Sequence, residues 1–208
     1  MIKAIIFDFD GVIAESIQVK TDAFSELYSP YGNDVVEKVV SYHLANGGVS
    51  RYEKIKYFHE SFLKRLITKV EIRELANQFS ELVIDKVISA PSLPGVIDYI
   101  HTCHEKYTMF ISTGTPTDEI NQILKSRGIS NYFTDIFGSP QKKGDHIKKI
   151  ISKFKIRPDE LLFYGDSDTD HDAAEDANIN FVLIKNRFNE KLRKNYKGKI
   201  INNFLEIV

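Results

Sequence analysis

The chain holds a single cysteine, Cys103, in 208 residues. That excludes a disulfide framework and leaves no thiol cluster for structural zinc. Nor does it carry an excess of one charge: 28 Lys and Arg face 29 Asp and Glu, a formal net charge of −1, which excludes a strongly basic nucleic-acid footprint. Long hydrophobic runs are missing too. The apolar stretch Ala4-Ile5-Ile6-Phe7 stops at Asp8, far short of a secretory apolar region or the ~20 residues of a membrane span. There is no glycine-rich phosphate cradle of the mononucleotide or dinucleotide kind, no internal repeat and no low-complexity segment. These absences predict a soluble cytoplasmic protein with no membrane, nucleic-acid or protein partner. What is present is an ordinary globular balance, 42% hydrophobic and 27% charged. The length suits one large domain or one domain carrying an insertion, with a core that needs no crosslinks.

Residues 3–9 read as a short buried parallel strand. After residue 15 the pattern turns helical. Ile17, Phe24, Leu27 and Tyr28 define a first helix, stopped by Pro30 and Gly32, and a second is expected over 34–43. Beyond the Asn46-Gly47-Gly48 turn, Ser50 is expected to cap a third helix with Tyr52, Ile55, Phe62 and Leu66 inward. A fourth is expected over 70–88. Four helices without an intervening strand read as an inserted all-α unit, residues 15–88. From Pro94-Gly95 onward strands and helices alternate, with strands expected at 108–112, near 134–137, at 161–164, at 181–184 and near 199–201. Thr115 is read as the cap of a helix with Pro116 at its first position. The prediction is a doubly wound parallel α/β sheet built from residues 1–14 and 89–208, with the helices as an insertion.

Ligands of such sheets sit outside the carboxyl ends of the strands. The first strand ends in Asp8, Asp10 and Gly11; the second in Thr113 and Gly114; the third, across Ser139-Pro140, in Lys142 and Lys143; the fourth in Gly165-Asp166-Ser167-Asp168-Thr169-Asp170. Acids converging at one edge repel unless a divalent cation sits among them, and oxygen ligands without His or Cys favour Mg²⁺. A cation with a lysine neutralises phosphoryl oxygens, and a threonine hydroxyl donates to one. One aspartate is then free to attack phosphorus, and a second, two residues on, to shuttle the proton of the leaving oxygen.

Asp8-Phe9-Asp10-Gly11-Val12, Ser112-Thr113-Gly114, Lys143 and Gly165-Asp166-Ser167-x-x-Asp170 resemble, in order, the four motifs of the haloacid dehalogenase superfamily. The helical insertion resembles the cap of its first cap subclass. The resemblance implies a Mg²⁺-dependent phosphatase forming an aspartyl-phosphate, acting on a sugar phosphate or similar phosphomonoester. It implies Asp8 as nucleophile, Asp10 as general acid/base, Thr113 as phosphate-binding hydroxyl and Lys143 as stabilising cation, with Lys142 its adjacent rival. The metal set it implies is the Asp8 carboxylate, the Asp10 backbone carbonyl and Asp166, with Asp170 behind them. Asp10 excludes the dehalogenase and phosphonate-cleaving branches, and Glu15 stands where many relatives carry Asp. A β-phosphoglucomutase-type phosphomutase is the alternative, disfavoured because Lys20 lies where that branch places a histidine; a non-catalytic phosphate-binding module is the second alternative.

In the helical unit, Gly47 and Gly48 permit close approach of backbone to ligand. Arg51 and Lys54 can read a second anionic or hydroxyl-rich group, and with Thr113 and Gly114 they complete the expected substrate site. Asp168, Asp172 and Asp176 read as solvated or helix-start charges. The six histidines read as exposed or core-edge residues, and the basic stretch 185–199 as a solvated face.

Overall fold

The computed structural model describes residues 1–207. Six strands form one sheet in the order β3-β2-β1-β4-β5-β6: β1 (Ala4–Phe7), β2 (Thr108–Pro116), β3 (Asp135–Ser139), β4 (Leu161–Gly165), β5 (Asn180–Ile184) and β6 (Lys199–Ile201). Every neighbouring pair is parallel. β1 is buried on both faces, which its unbroken apolar run requires. Ile5 and Phe7 pack with the helical insertion and one helix layer. Ala4 and Ile6 face the opposite layer, against Phe110, Ile147, Ile150 and Phe163. The strand's two-residue period thus feeds two cores, one on each side of the sheet.

Between β1 and β2 lie α1 (Ile17–Tyr28), α2 (Asn33–Ala45), α3 (Arg51–Tyr57), α4 (Lys69–Ser89) and α5 (Val96–Cys103). The first four pack on one another as an all-α cap around Phe24, Phe58 and Phe79. α6 (Thr117–Ser126), α7 (Lys143–Phe154), α8 (Asp168–Asp176) and α9 (Glu190–Asn195) complete the α/β core. No helix among the described residues is long and apolar enough to cross a membrane.

Several expectations are corrected. α3 gives way to a wide π turn over Phe58–Phe62, so the helical phase is lost and Leu66, expected inward, is exposed. Thr115 does not cap a helix: β2 runs on to Pro116, which itself precedes α6. The helix that follows Pro94-Gly95 is short, ending at Cys103. His43, His59 and His146 are buried rather than at the core edge. The carboxyls of Asp168, Asp172 and Asp176 lie on exposed residues, and most of the basic stretch does too.

Candidate active site

The sheet register builds the site. Phe7 sits opposite Ile111 on one side and Tyr164 on the other. The residues that follow therefore emerge side by side: Asp8, then Ser112 and Thr113, then Gly165 and Asp166. Gly11 turns the chain with φ +77, and a Cβ there would lie 2.3 Å from Asp166 Oδ2. Only glycine lets the first loop pass so close to the acid of the fourth.

Asp8 is 3% exposed. One carboxylate oxygen accepts from the Phe9 backbone N–H at 2.6 Å, the other from Lys143 Nζ at 2.7 Å. Lys143 also donates to Asp170 at 2.5 Å. Its neighbour Lys142 points outward, 77% exposed, and reaches only Glu53 at 4.0 Å. The helical phase of α7 separates these adjacent lysines and sends the second to the acids.

Asp170 is saturated: besides Lys143, it accepts from the Ser167 hydroxyl at 2.5 Å and from the backbone N–H groups of Ser167 and Asp166 at 3.1 and 3.3 Å. It ties the loop after β4 to the start of α8. Asp166 has a different environment. Its carboxylate accepts from Asn186 Nδ2 at 2.7 Å and its backbone carbonyl from Asn189 Nδ2 at 2.8 Å. These two asparagines of the loop after β5 carry no sequence signal beyond a turn-forming composition.

Oxygens of Asp8, Asp166 and Asp170 all lie within 4.8 Å of one another. Burial pushes the Asp8 carboxyl up to about 7 against the pull of Lys143, with Asp170 and Asp10 adding to the rise. Burial likewise raises Asp166 well above its ordinary value, reinforced by Asp8 and Asp170. One ammonium is too little positive charge for this cluster. An all-oxygen, electron-rich donor set short of countercharge fits a hard divalent cation, Mg²⁺.

Asp10 is held otherwise. Burial works against its charge, but Lys20, Ser16 and Thr115 outweigh it and keep the carboxyl below its ordinary value. Lys20, from cap helix α1, donates to Asp10 Oδ2 and also to Thr115 Oγ1 at 2.7 Å. The Ser16 hydroxyl donates to Asp10 Oδ1 at 2.6 Å. Thr115, read from sequence as a helix cap, thus belongs to the aspartate's surroundings. Thr113 is 1% exposed, and its hydroxyl accepts from the Thr115 backbone N–H at 3.3 Å.

The cap loop lies directly on this edge. A Cβ on Gly47 would come 2.9 Å from Ser167, and one on Gly48 (φ +74) 2.0 Å from the Thr169 hydroxyl and 2.8 Å from Lys143 Nζ. A Cβ on Gly114 would come 2.5 Å from the Gly48 carbonyl. The Thr169 hydroxyl donates to the Gly47 carbonyl at 3.0 Å. Behind the loop, Arg51 is bound on two edges: its Nη1 donates to Glu119 Oε2 at 2.8 Å, its Nη2 to Oε1, and Ser80 joins both groups. Glu119 sits on core helix α6, so the pair crosses from cap to core. A cavity of about 290 Å³ remains beneath the cap, lined by Asp8, Asp10, Lys20, Lys54, Thr113 and Asp166 among others.

A capped α/β enzyme with acids and one lysine at the carboxyl edge of its sheet is the class this geometry defines. The chain belongs to the haloacid dehalogenase-like hydrolase family, whose model matches residues 5–184. It is 28% identical to a phosphoglycolate phosphatase of Photorhabdus laumondii over all of this chain and 91% of that protein. It is 24% identical to a phosphorylated carbohydrates phosphatase of Thermotoga maritima over 85% of this chain and 82% of that one. Among solved structures, β-phosphoglucomutase of Clostridium difficile superposes with a TM-score of 0.81 at 23% identity, covering 100% of this chain and 94% of the other.

Proposed function

We propose that this protein is a Mg²⁺-dependent phosphatase that hydrolyses a small phosphorylated metabolite through an aspartyl-phosphate on Asp8. The clustering of the Asp8, Asp166 and Asp170 carboxylates, with the single buried ammonium of Lys143 bonded to Asp8 and Asp170, is the observation that carries this reading. The activities of the relatives, on phosphoglycolate and phosphorylated carbohydrates, support the substrate class.

In this reading the cation is held by the Asp8 and Asp166 carboxylates and the Asp10 backbone carbonyl, while Asp170, already saturated, fixes the loop and Lys143. When bound, Mg²⁺ neutralises phosphoryl oxygens and orients them. Lys143 and the Thr113 hydroxyl contribute the remaining positive charge and hydrogen bonding. The Asp8 carboxylate oxygen bonds to phosphorus as the ester P–O bond breaks, and Asp10 delivers a proton to the departing alkoxide. Asp10 takes up that proton when the phosphoryl anion arrives beside it, since a like charge favours the neutral carboxyl. In the second half Asp10, now a carboxylate beside Lys20, takes a proton from water, whose oxygen bonds to phosphorus as the Asp8–phosphorus bond breaks.

The cap comprises residues 15–88 and the core residues 1–14 and 89–208. Gly47, Gly48, Lys54, Thr113 and Gly114 form the substrate compartment, and Arg51 forms its wall through Glu119. Closing the cap excludes bulk water from the aspartyl-phosphate. A metabolite substrate and one free, buried cysteine go with a cytoplasmic location. The mutase alternative has one observation in its favour, the shared fold; Lys20 on Asp10 favours hydrolysis, because no cap histidine takes that place. Phosphate release from a panel of phosphorylated metabolites, with and without Mg²⁺, tests the proposal. Release that is independent of Mg²⁺, or interconversion of sugar phosphates without release, overturns it.

A further inference from the structure

The buried cations around the cavity all pair off with carboxylates, with one exception; Lys191, which also lines it, is exposed. Lys143 is met by Asp8 and Asp170, Lys20 by Asp10, and Arg51 by Glu119. The surplus of negative charge at Asp8 and Asp166 is the part a divalent cation answers. On the positive side Lys54 is left over. It is 3% exposed, on cap helix α3, and it lines the cavity. Among the described residues its ammonium meets no carboxylate; its neighbours are Nδ1 and the backbone carbonyl of His43, at 2.9 and 3.3 Å.

An ammonium has three donors and no acceptor, so Nδ1 of His43 must accept, and that imidazole is uncharged. Burial, with the charges of Lys54 and Lys20, holds His43 well below its ordinary value. Lys54 is therefore a buried cation with a neutral partner and a donor to spare, an arrangement that costs stability unless an anion completes it. Burial and Lys20 accordingly draw Lys54 down to about 7. Neither of its cationic neighbours can serve the same purpose. Arg51 is engaged on two edges by Glu119, and Lys20 is divided between Asp10 and Thr115. Phe24 and Phe79 wall the space between, which suits a short carbon chain.

We propose that Lys54 is the receptor for a second anionic group on the substrate, so that the enzyme acts on small phosphate monoesters bearing a carboxylate or a second phosphate at the far end. This rests on the phosphatase reading above. A neutral hydroxyl would leave the buried charge unanswered; a second anion compensates it. Discrimination therefore comes from one cap lysine, and the neighbouring arginine is structural.

Initial rates with saturating Mg²⁺ on three two-carbon esters test this: 2-phosphoglycolate, ethylene glycol bisphosphate and the neutral-ended 2-hydroxyethyl phosphate. The wild-type enzyme should favour one acidic ester over the neutral one by about 100-fold or more in kcat/KM, mostly through KM. Which acidic ester wins separates a carboxylate receptor from a phosphate receptor. Lys54→Met should cut that preference at least tenfold, and Lys54→Arg should restore part of it. Equal use of all three esters by the wild-type enzyme, or a preference that survives Lys54→Met, overturns the inference while leaving the phosphatase reading intact. No release from any ester, p-nitrophenyl phosphate included, overturns the phosphatase reading and this inference with it. Should Lys54→Met fail to fold, Lys54→Gln takes its place under the same two criteria.

Discussion

The Arg51–Glu119 pair is the contact whose removal should be felt most. Both side chains are about 5% exposed or less, and the guanidinium also lies over the Phe79 ring, 4.6 Å from its centroid. Replacing Glu119 by Gln keeps the shape and deletes the charge, leaving a guanidinium buried with only neutral partners. Breaking a buried pair from one side costs about 3–5 kcal/mol. For a chain of this length that corresponds to a fall of roughly 6–20 °C in Tm. The double variant Arg51→Met/Glu119→Leu removes both charges and both desolvation penalties; Met can still cover Phe79. It should recover to within about 1–2 kcal/mol of wild type, since hydrophobic replacements of buried pairs are often neutral. Urea unfolding of Arg51→Met, Glu119→Leu, the double variant and the wild type forms a complete cycle and isolates the coupling. If Glu119→Gln costs less than about 1 kcal/mol and the double variant is no better than the singles, the pair does not hold cap to core as argued.

Asp8→Asn should keep the fold and reduce phosphate release at least about 1000-fold, because an amide cannot replace the attacking carboxylate; release within tenfold of wild type would refute the covalent role. Gly48→Ala should lower kcat/KM more than about tenfold with an unchanged circular dichroism spectrum, since its φ of +74 and the 2.0 Å approach to the Thr169 hydroxyl leave no room for Cβ; unaltered kinetics would mean the loop does not seat on the core during turnover. In EDTA, the stability of the wild type relative to Asp8→Asn should fall as pH rises between about 4 and 7, a comparison in which the opposite contributions of the buried His43, His59 and His146 cancel. Asp8 moves from 3.8 unfolded to about 7 folded, so over that window the native state holds a proton the unfolded chain has lost. The slope is on the order of 1 kcal/mol per pH unit, levelling above pH 7. Millimolar Mg²⁺ should flatten it, and a slope that is flat without metal would remove the argument for a charge-starved acid cluster.

The sequence revealed the carboxyl edge because each functional group follows an apolar run directly, and a parallel sheet brings such positions together whatever their separation along the chain. Asp8, Thr113 and Asp166 needed only that rule. Lys143 needed one more step, the phase of α7 set by Ile147 and Ile150, which in the structure turns Lys143 toward Asp8 and leaves Lys142 exposed. Residues whose role depends on what docks against them were hidden. Lys20, Glu119 and Asn186 look like ordinary helix or turn residues, and their partners lie 10, 68 and 20 positions away. Leu66 failed for a local reason: the π turn at Phe58–Phe62 shifts the helical phase, which periodicity cannot foresee. His43 looked peripheral because a polar residue at helical spacing carries no mark of the lysine that meets it.

Three of the polar contacts between cap and core differ in character. The Thr169–Gly47 hydrogen bond joins two neutral groups and exchanges readily with water. Lys20 on Asp10 lies at the root of the insertion, only ten residues along the chain. Arg51 on Glu119 is the distant one, and withdrawing it hydrates two buried charges at once. Water regains much of the lost Coulomb attraction by solvating both ions, so opening costs far less than removing one partner. A pair of opposite charges can therefore align the cap on the core and still part into water, each ion being solvated in turn. The cap's best-placed arginine therefore faces the core helix, while substrate recognition falls to its neighbour one turn along α3.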